Sequence, residues 1–368
     1  MRILHTADWH LGKTLNGKNL IEDQKFILDE ILKLAQDVDA VIIAGDVYDR
    51  ADPSTDAVNL FDEIIFKLTE KKIPVLCIAG NHDSAARLNF GSRLFANKKF
   101  FITTKTDFAP ENIPLEDEFG EIYFSLIPYF NPAEIKAKFL PEDDARLTFD
   151  AANKFYLDLA RKNIPANKRS VAIAHVFVEG GEESDSERKF VGTTGKVSAE
   201  NFVGYDYVAL GHLHCPQKIF AENICYAGSP LKYSAKESTH QKGVTIVELD
   251  GNGLVRAKNF PLAPRRNLIE VSGKLADFQA QTPDYSYAYV TLTDDVFVYD
   301  AAQKLRGVFP NLMEVKNQAR PKGLVEVSTR KFREGSTISE QFADFFETMT
   351  KRKLSAEEQA ALNEIFGG

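Results

Sequence analysis

Five short apolar runs in this chain each stop on a side chain able to ligate a metal, and this restricts the fold more than any other feature. Residues 2–6 lead into Asp8-Trp9-His10, residues 40–44 into Gly45-Asp46, and residues 75–79 into Gly80-Asn81-His82-Asp83. Residues 171–174 run directly into His175, and residues 207–210 into Gly211-His212-Leu213-His214. Short runs rich in Val, Ile and Ala predict strands buried on both faces. Between the first three lie amphipathic stretches, 21–36 (with Phe26, Ile27, Ile31 and Leu34) and 57–68. Strands alternating with helices imply parallel pairing under helical cover. In such sheets ligands gather beyond the carboxyl ends of the strands, which is where these polar residues fall.

Further strands are expected at 122–127, 218–220, 224–227 and 243–249. They are close together and rich in turns, so they predict a second sheet packed on the first, giving an α/β sandwich of two mixed sheets. Asp250-Gly251-Asn252-Gly253 is a strong turn signal, and Pro261-Leu262-Ala263-Pro264-Arg265-Arg266 reads as a linker. A small α+β unit follows, with strands near 268–271, 287–292, 312–315 and 324–327 and a helix near 301–307. Thr337-Ile338-Ser339-Glu340 matches a capping box and opens a helix bearing Phe342, Phe345, Phe346 and Met349; Ser355 opens another. The expected divisions are 1–264, 265–333 and 334–368.

Histidine is scarce, 7 in 368 residues, so spending five of them at or beside strand ends argues for a site. A ligand set of O and N donors favours Mn²⁺, Fe²⁺ or Zn²⁺ over a thiolate cluster. In an extended segment residues i and i+2 project to one side, so Asp8 with His10, and His212 with His214, are each expected to enter one cleft while Trp9 and Leu213 face away. Glycines before Asp46, Asn81 and His212 predict tight turns. Three cysteines without a CxxC pair argue against a disulfide framework. The N-terminus lacks signal-peptide character, and the expected location is cytosolic. A net charge of −8 argues against unassisted tight binding to nucleic acid, which rests on Lys and Arg neutralising phosphates.

The order Asp-x-His, Gly-Asp, Gly-Asn-His-Asp, His, Gly-His-x-His resembles that of calcineurin-like binuclear metallophosphoesterases. Within that superfamily, His5-Thr6-Ala7-Asp8-Trp9-His10-Leu11-Gly12 and Asp46-Val47-Tyr48-Asp49-Arg50 are similar to the bacterial SbcD nuclease branch. So are Ser186-Glu187-Arg188 with Val191-Gly192, and Tyr226-Ala227-Gly228-Ser229-Pro230-Leu231-Lys232-Tyr233-Ser234. The resemblance implies a four-layer α/β sandwich nuclease domain, a small capping domain and C-terminal helices that dock on an SbcC-type ATPase of the SMC family. It implies two metal ions, most simply Mn²⁺, one held by Asp8, His10, Asp46 and His214, the other by Asp46, Asn81, His175 and His212. It implies a catalytic role for His82, at the transition state or the leaving oxygen, with Asp83 orienting it by hydrogen bond. Two divalent ions outweigh Asp8 and Asp46, so a cationic site would face a phosphodiester even on an acidic protein. The implied activity is 3′→5′ exonuclease and endonuclease cleavage of DNA in repair and recombination, by a homodimer at the nucleoid. Archaeal and eukaryotic counterparts carry His where this chain has Asp49, so that histidine's role does not transfer.

Other features have plainer readings. His5 reads as a core histidine, His240 as a surface residue and Cys215 as a bystander. Arg50, Arg87 and Arg93 are solvated charges or DNA contacts, and residues 179–188 a flexible or substrate-side loop. The stripe Val58, Leu60, Phe61, Ile64, Ile65, Leu68 is core by default and a dimer face by resemblance. Two competing functions remain: a small-molecule phosphodiesterase or phosphoprotein phosphatase on the same fold, and a metal-stabilised scaffold without catalysis.

Overall fold

The computed structural model describes residues 1–141, 146–187, 195–319, 337–350 and 352–366, the side chains of 348 and 349 excepted. The strand expected at 324–327 lies outside them, as do Arg188, Val191 and Gly192. Two six-stranded sheets form the first unit. One has the order Gly253–Pro261, Gly243–Asp250, Arg2–Thr6, Ala40–Ile43, Val75–Ile78, Phe100–Thr103. Its last four strands are parallel and its first two antiparallel. The other has the order Gln217–Lys218, Ile224–Tyr226, Tyr207–Gly211, Arg169–His175, Gly120–Ile127, Glu111–Asp117, parallel in its centre and antiparallel at both edges.

The apolar runs behave as their composition requires. In Ala40–Ile43, Ala40 and Ile42 face the second sheet, packing with Phe124, Leu126, Val171 and Ile173, while Val41 and Ile43 face helices Ile21–Leu34 and Thr55–Glu70. Both sides of the strand are dry, so alternation disappears from the sequence. Beyond the second sheet, Pro132–Phe139 and Phe149–Lys162 supply a helical layer through Ile135, Tyr156 and Leu157. The result is four layers, helix, sheet, sheet, helix, with three apolar seams. Edge strands Phe100–Thr103, Glu111–Asp117 and Gly253–Pro261 and the two later helices were not legible in the sequence. Glu111–Asp117 carries Pro114 and three acidic residues, tolerable at an edge because half its backbone groups need no partner.

Helix Thr55–Glu70 is capped by Ser54, whose side chain accepts from the Ala57 N–H. Its Leu60, Phe61, Ile64, Ile65 and Leu68 are buried in the core, while Val58 is 42% exposed. Phe26 of the preceding helix, expected inside, is 39% exposed.

The chain divides into two compact units. The first comprises Met1–Glu270, Asp284–Tyr289 and Phe309–Glu314, the second Val271–Pro283, Val290–Val308 and Val315–Gly368. In the second, helices Ile338–Thr350 and Ala356–Phe366 form a hairpin. Both open on capping boxes: Thr337 exchanges bonds with Glu340, and Ser355 with Glu358.

Candidate metal centre

All seven expected ligands converge at the carboxyl ends of the two sheets, but not as extended segments. Asp8, His10 and Asp46 take φ of 53°, 44° and 49°, and His212 takes 107°. Non-glycine residues seldom adopt positive φ, and such strain persists only where surroundings over-determine it. Here the loops after Arg2–Thr6 and Ala40–Ile43 lace together. The Asp8 N–H donates to Gly45 O at 3.0 Å, His10 N–H to Asp46 O at 3.0 Å and Leu11 N–H to Val47 O at 2.9 Å. Between them Trp9 turns into the core, 1% exposed. The left-handed turns, rather than a pleat, put Asp8 and His10 on one side.

Two glycines show how close the backbones come. Gly45 has φ of 90°, and a Cβ there would strike the His175 ring. Gly211 does not need positive φ; a Cβ there would collide with the Ala44 carbonyl and the His175 ring. Its absent side chain is what lets the two sheets meet at the site.

The donor atoms lie close enough together to share metal ions. Ligand atoms about 2.1 Å from a common ion lie about 3.0–3.4 Å apart in octahedral or tetrahedral geometry. His10 Nε2 and His214 Nε2 are 3.1 Å apart, and Asp8, His10 and His214 each offer an atom to one cluster. Asn81 Oδ1 lies 3.1 Å from both His175 Nε2 and His212 Nδ1. Asp46 Oδ2 sits between the halves, 3.6 Å from His10 Nε2 and 3.5 Å from His175 Nε2, while its Oδ1 accepts the His82 N–H at 2.9 Å. The His175 Nδ1–H donates to Ala44 O at 2.9 Å, which aims Nε2 at the centre.

Electrostatics point the same way. Asp8 is fully buried, and burial pushes its carboxyl up to about 7 against the pull of His175 and His214. Burial works against the charge of Asp46 too, yet His175 and His10 hold it well below the usual carboxylate range. Burial drives His10 far down and His212 to about 3. It would lower His175 as well, but Asp46 and then Asp8 outweigh it and raise that imidazole to about 9. The buried carboxylates of Asp8 and Asp46 face imidazoles across one pocket, and divalent ions would take the place of the His175 Nε2 proton. The residues present fit such ions.

His82 borders this cluster, its ring 4.7 Å from that of His10. Its Nδ1–H donates to the Asp49 carbonyl at 2.8 Å, and it also offers an atom to a candidate group with His10 and Asp46. The expected Asp83–His82 bond is not formed. Asp83 instead accepts the N–H groups of Gly80 (2.9 Å), Tyr48 (2.9 Å) and Val47 (3.2 Å). It ties the Asn81 loop to the Asp46 loop through charge-assisted bonds to three backbone donors.

His5 is fully buried, with Nδ1 2.9 Å from the Tyr207 hydroxyl. His240 is half-buried, and Cys215 contributes no atom to the candidate clusters. Arg50 and Arg87 are 74% and 59% exposed, beside Asp49 and Asp52. Several residues that sequence reasoning did not place also shape the centre. Gln24 donates to the carbonyls of Trp9 and His10, and the Lys13 ammonium pairs with Asp49 at 2.7 Å. Ser186, Glu187, Glu237 and Lys242 surround His214. Their only sequence signal was membership of the motifs Ser186-Glu187-Arg188 and Tyr226–Ser234, or closeness to them, and the groups they touch are distant in the chain.

The comparisons agree with the geometry. The family model for calcineurin-like phosphoesterase matches residues 1–216. A relative from Staphylococcus epidermidis, named as the SbcD component of the SbcCD nuclease, is 36% identical over 365 residues, covering 96% of this chain and 95% of its own length. The family match over residues 1–216 and the near full-length relative together establish that this chain belongs to the calcineurin-like phosphoesterases.

Proposed function

We propose that this chain is the nuclease subunit of an SbcCD-type complex, a metal-dependent hydrolase of DNA phosphodiesters. The observation that carries this is the position of Asp46 Oδ2 between His10 Nε2 and His175 Nε2, with His82 alongside. One ion, most simply Mn²⁺, would be held by Asp8, His10, Asp46 and His214, and the second by Asp46, Asn81, His175 and His212. When bound, such a pair supplies an activated water and neutralises the charge of in-line displacement at phosphorus.

The chain's own residues do the rest. Asp46 holds both halves at one separation, with its Oδ1 locked by the His82 N–H. The Asp49 carbonyl fixes the His82 ring through Nδ1–H, so when the ring carries a second proton its Nε2–H can hydrogen-bond a phosphate oxygen or pass that proton to the leaving oxygen. Such general acid help is worth about 10²–10⁴-fold. Asp83 acts at one remove, holding the loop that carries Asn81 and His82. A DNA phosphodiester fits an exposed rim bearing Arg50, Arg87 and Arg93. Residues 265–333 serve as a capping domain and 334–368 as the segment that docks on an SbcC-like ATPase, whose DNA-binding surface offsets the net charge of −8. The protein acts as a homodimer in the cytoplasm at the nucleoid, with Val58 and Phe66, 42% and 57% exposed on one helix, available to such an interface.

The test compares Mn²⁺-dependent cleavage of labelled hairpin DNA with hydrolysis of cyclic nucleotides and phosphopeptides, with the partner ATPase present. DNA cleavage is expected to dominate; turnover of the small substrates alone would sink the nuclease reading. Replacing His82 by Ser should lower cleavage about 10²-fold or more with metal content unchanged; wild-type rates in that variant would remove His82 from the chemistry, and no cleavage by the unsubstituted chain would leave the scaffold alternative.

A further inference from the structure

Two motifs of the sequence, Ser186-Glu187 and the run ending at Ser234, have no part in the chemistry above, yet both lead to one metal ligand. His214 Nδ1 is 2.6 Å from Ser186 Oγ, and the Ser186 hydroxyl donates to Glu237 Oε1. This is a directed chain: imidazole N–H to hydroxyl oxygen, hydroxyl proton to carboxylate. Glu237 is 0% exposed, and its Oε2 accepts from Lys242 Nζ at 2.5 Å and from the Tyr233 N–H at 3.2 Å. Lys242 in turn donates to the His214 carbonyl at 2.7 Å and to Ser229 Oγ at 2.9 Å. Glu187 completes the enclosure: its Oε1 accepts the His214 N–H at 2.9 Å, and its Oε2 accepts the Ser184 N–H at 2.6 Å. Backbone and side chain of this one histidine are therefore held on every polar atom except Nε2.

The other half of the centre is built differently. His175 Nδ1–H rests on a neutral main-chain carbonyl, that of Ala44. A carboxylate behind a ligating imidazole fixes its tautomer and increases its electron donation, and losing such a partner typically costs about 10–100-fold in metal affinity.

We propose that Ser186 and Glu237 are positioning residues for His214 and make the ion site of Asp8, His10, Asp46 and His214 the tighter of the two. The proposal rests on the two-ion reading above. It assigns a purpose to Ser186 of the first motif and to Glu237 just beyond the second: they stiffen one ligand from behind, 51 positions apart in sequence.

Mn²⁺ titration of the full chain, followed by calorimetry and by the electron paramagnetic resonance of free Mn²⁺, tests it. The unsubstituted protein should bind two ions in unequal steps. Ser186→Ala removes only the hydroxyl and is expected to weaken the tighter step about 10–100-fold. The weaker step and the melting temperature in excess chelator should not change, and Ser186→Thr, which keeps the hydroxyl, should restore the tighter step. Glu237→Gln alone would strand the buried Lys242, so the second variant pairs Glu237→Gln with Lys242→Met and should lose the same step. Equal weakening of both steps with a lower melting temperature in chelator would make the network merely structural and overturn the proposal. So would two unchanged steps in both variants. An unsubstituted chain that binds fewer than two ions would overturn the two-ion reading itself, a failure visible before any substitution is made.

Discussion

Within the first strand His5 is fully buried, and burial pushes its imidazole down to about 3 from an ordinary 6.5, against a smaller opposing pull from Leu210. Below pH 6.5 the unfolded chain therefore binds a proton that the folded chain refuses. Stability from this group is complete above that pH and falls as pH drops from 6.5 toward 3, by about 1.4 kcal/mol per unit. Denaturant unfolding at pH 7 and pH 5, in chelator, should show the parent losing about 2 kcal/mol more than His5→Gln; equal losses in both would remove His5 as a cause. The metal ligands that follow this strand are tuned by the same burial, but there the carboxylates and imidazoles answer each other. That the donor types belonged together was legible from residue identity. That Asp83 would spend its oxygens on three backbone amides was not, since a hydrogen-bond partner such as Val47, 36 residues away, leaves no local trace.

At the scale of elements, the site depends on strand ends approaching without side chains between them. Gly211 ends its strand where Ala44 and His175 press in, and overpacking a tight core costs about 1–3 kcal/mol. Gly211→Ala should lower the melting temperature and weaken metal binding together, because relief of the clash moves His175. A variant with unchanged melting and unchanged Mn²⁺ affinity would show that the sheets are not in contact there. The expectation of pleated i, i+2 ligands failed at this scale. Strand Arg2–Thr6 ends before Asp8, and backbone bonds from a neighbouring loop impose left-handed residues that no single-segment rule contains.

For the whole molecule, the C-terminal hairpin is one exposed apolar feature among the described residues that neither sheet explains. Phe342 and Phe345 are 39% and 50% exposed and Ile365 is 73% exposed, although Leu362 is buried. Changing Phe342 and Phe345 to Glu should abolish association with an SbcC-like ATPase in size-exclusion chromatography while Mn²⁺ binding by the free protein stays intact. Retained association would place the partner's contact elsewhere.

Read alone, the sequence settled which residues are buried strands, which donors cluster and what chemistry the donor set suits. Those properties are local: a run of β-branched residues declares its burial, and a ligand declares its chemistry, wherever the rest of the chain lies. Only the tertiary structure decided that Asp49 rather than Asp83 holds His82, and that Ser186 and Glu237 stand behind His214. Each of those facts joins residues far apart in sequence, and their energy exists only once the two sheets have been brought face to face.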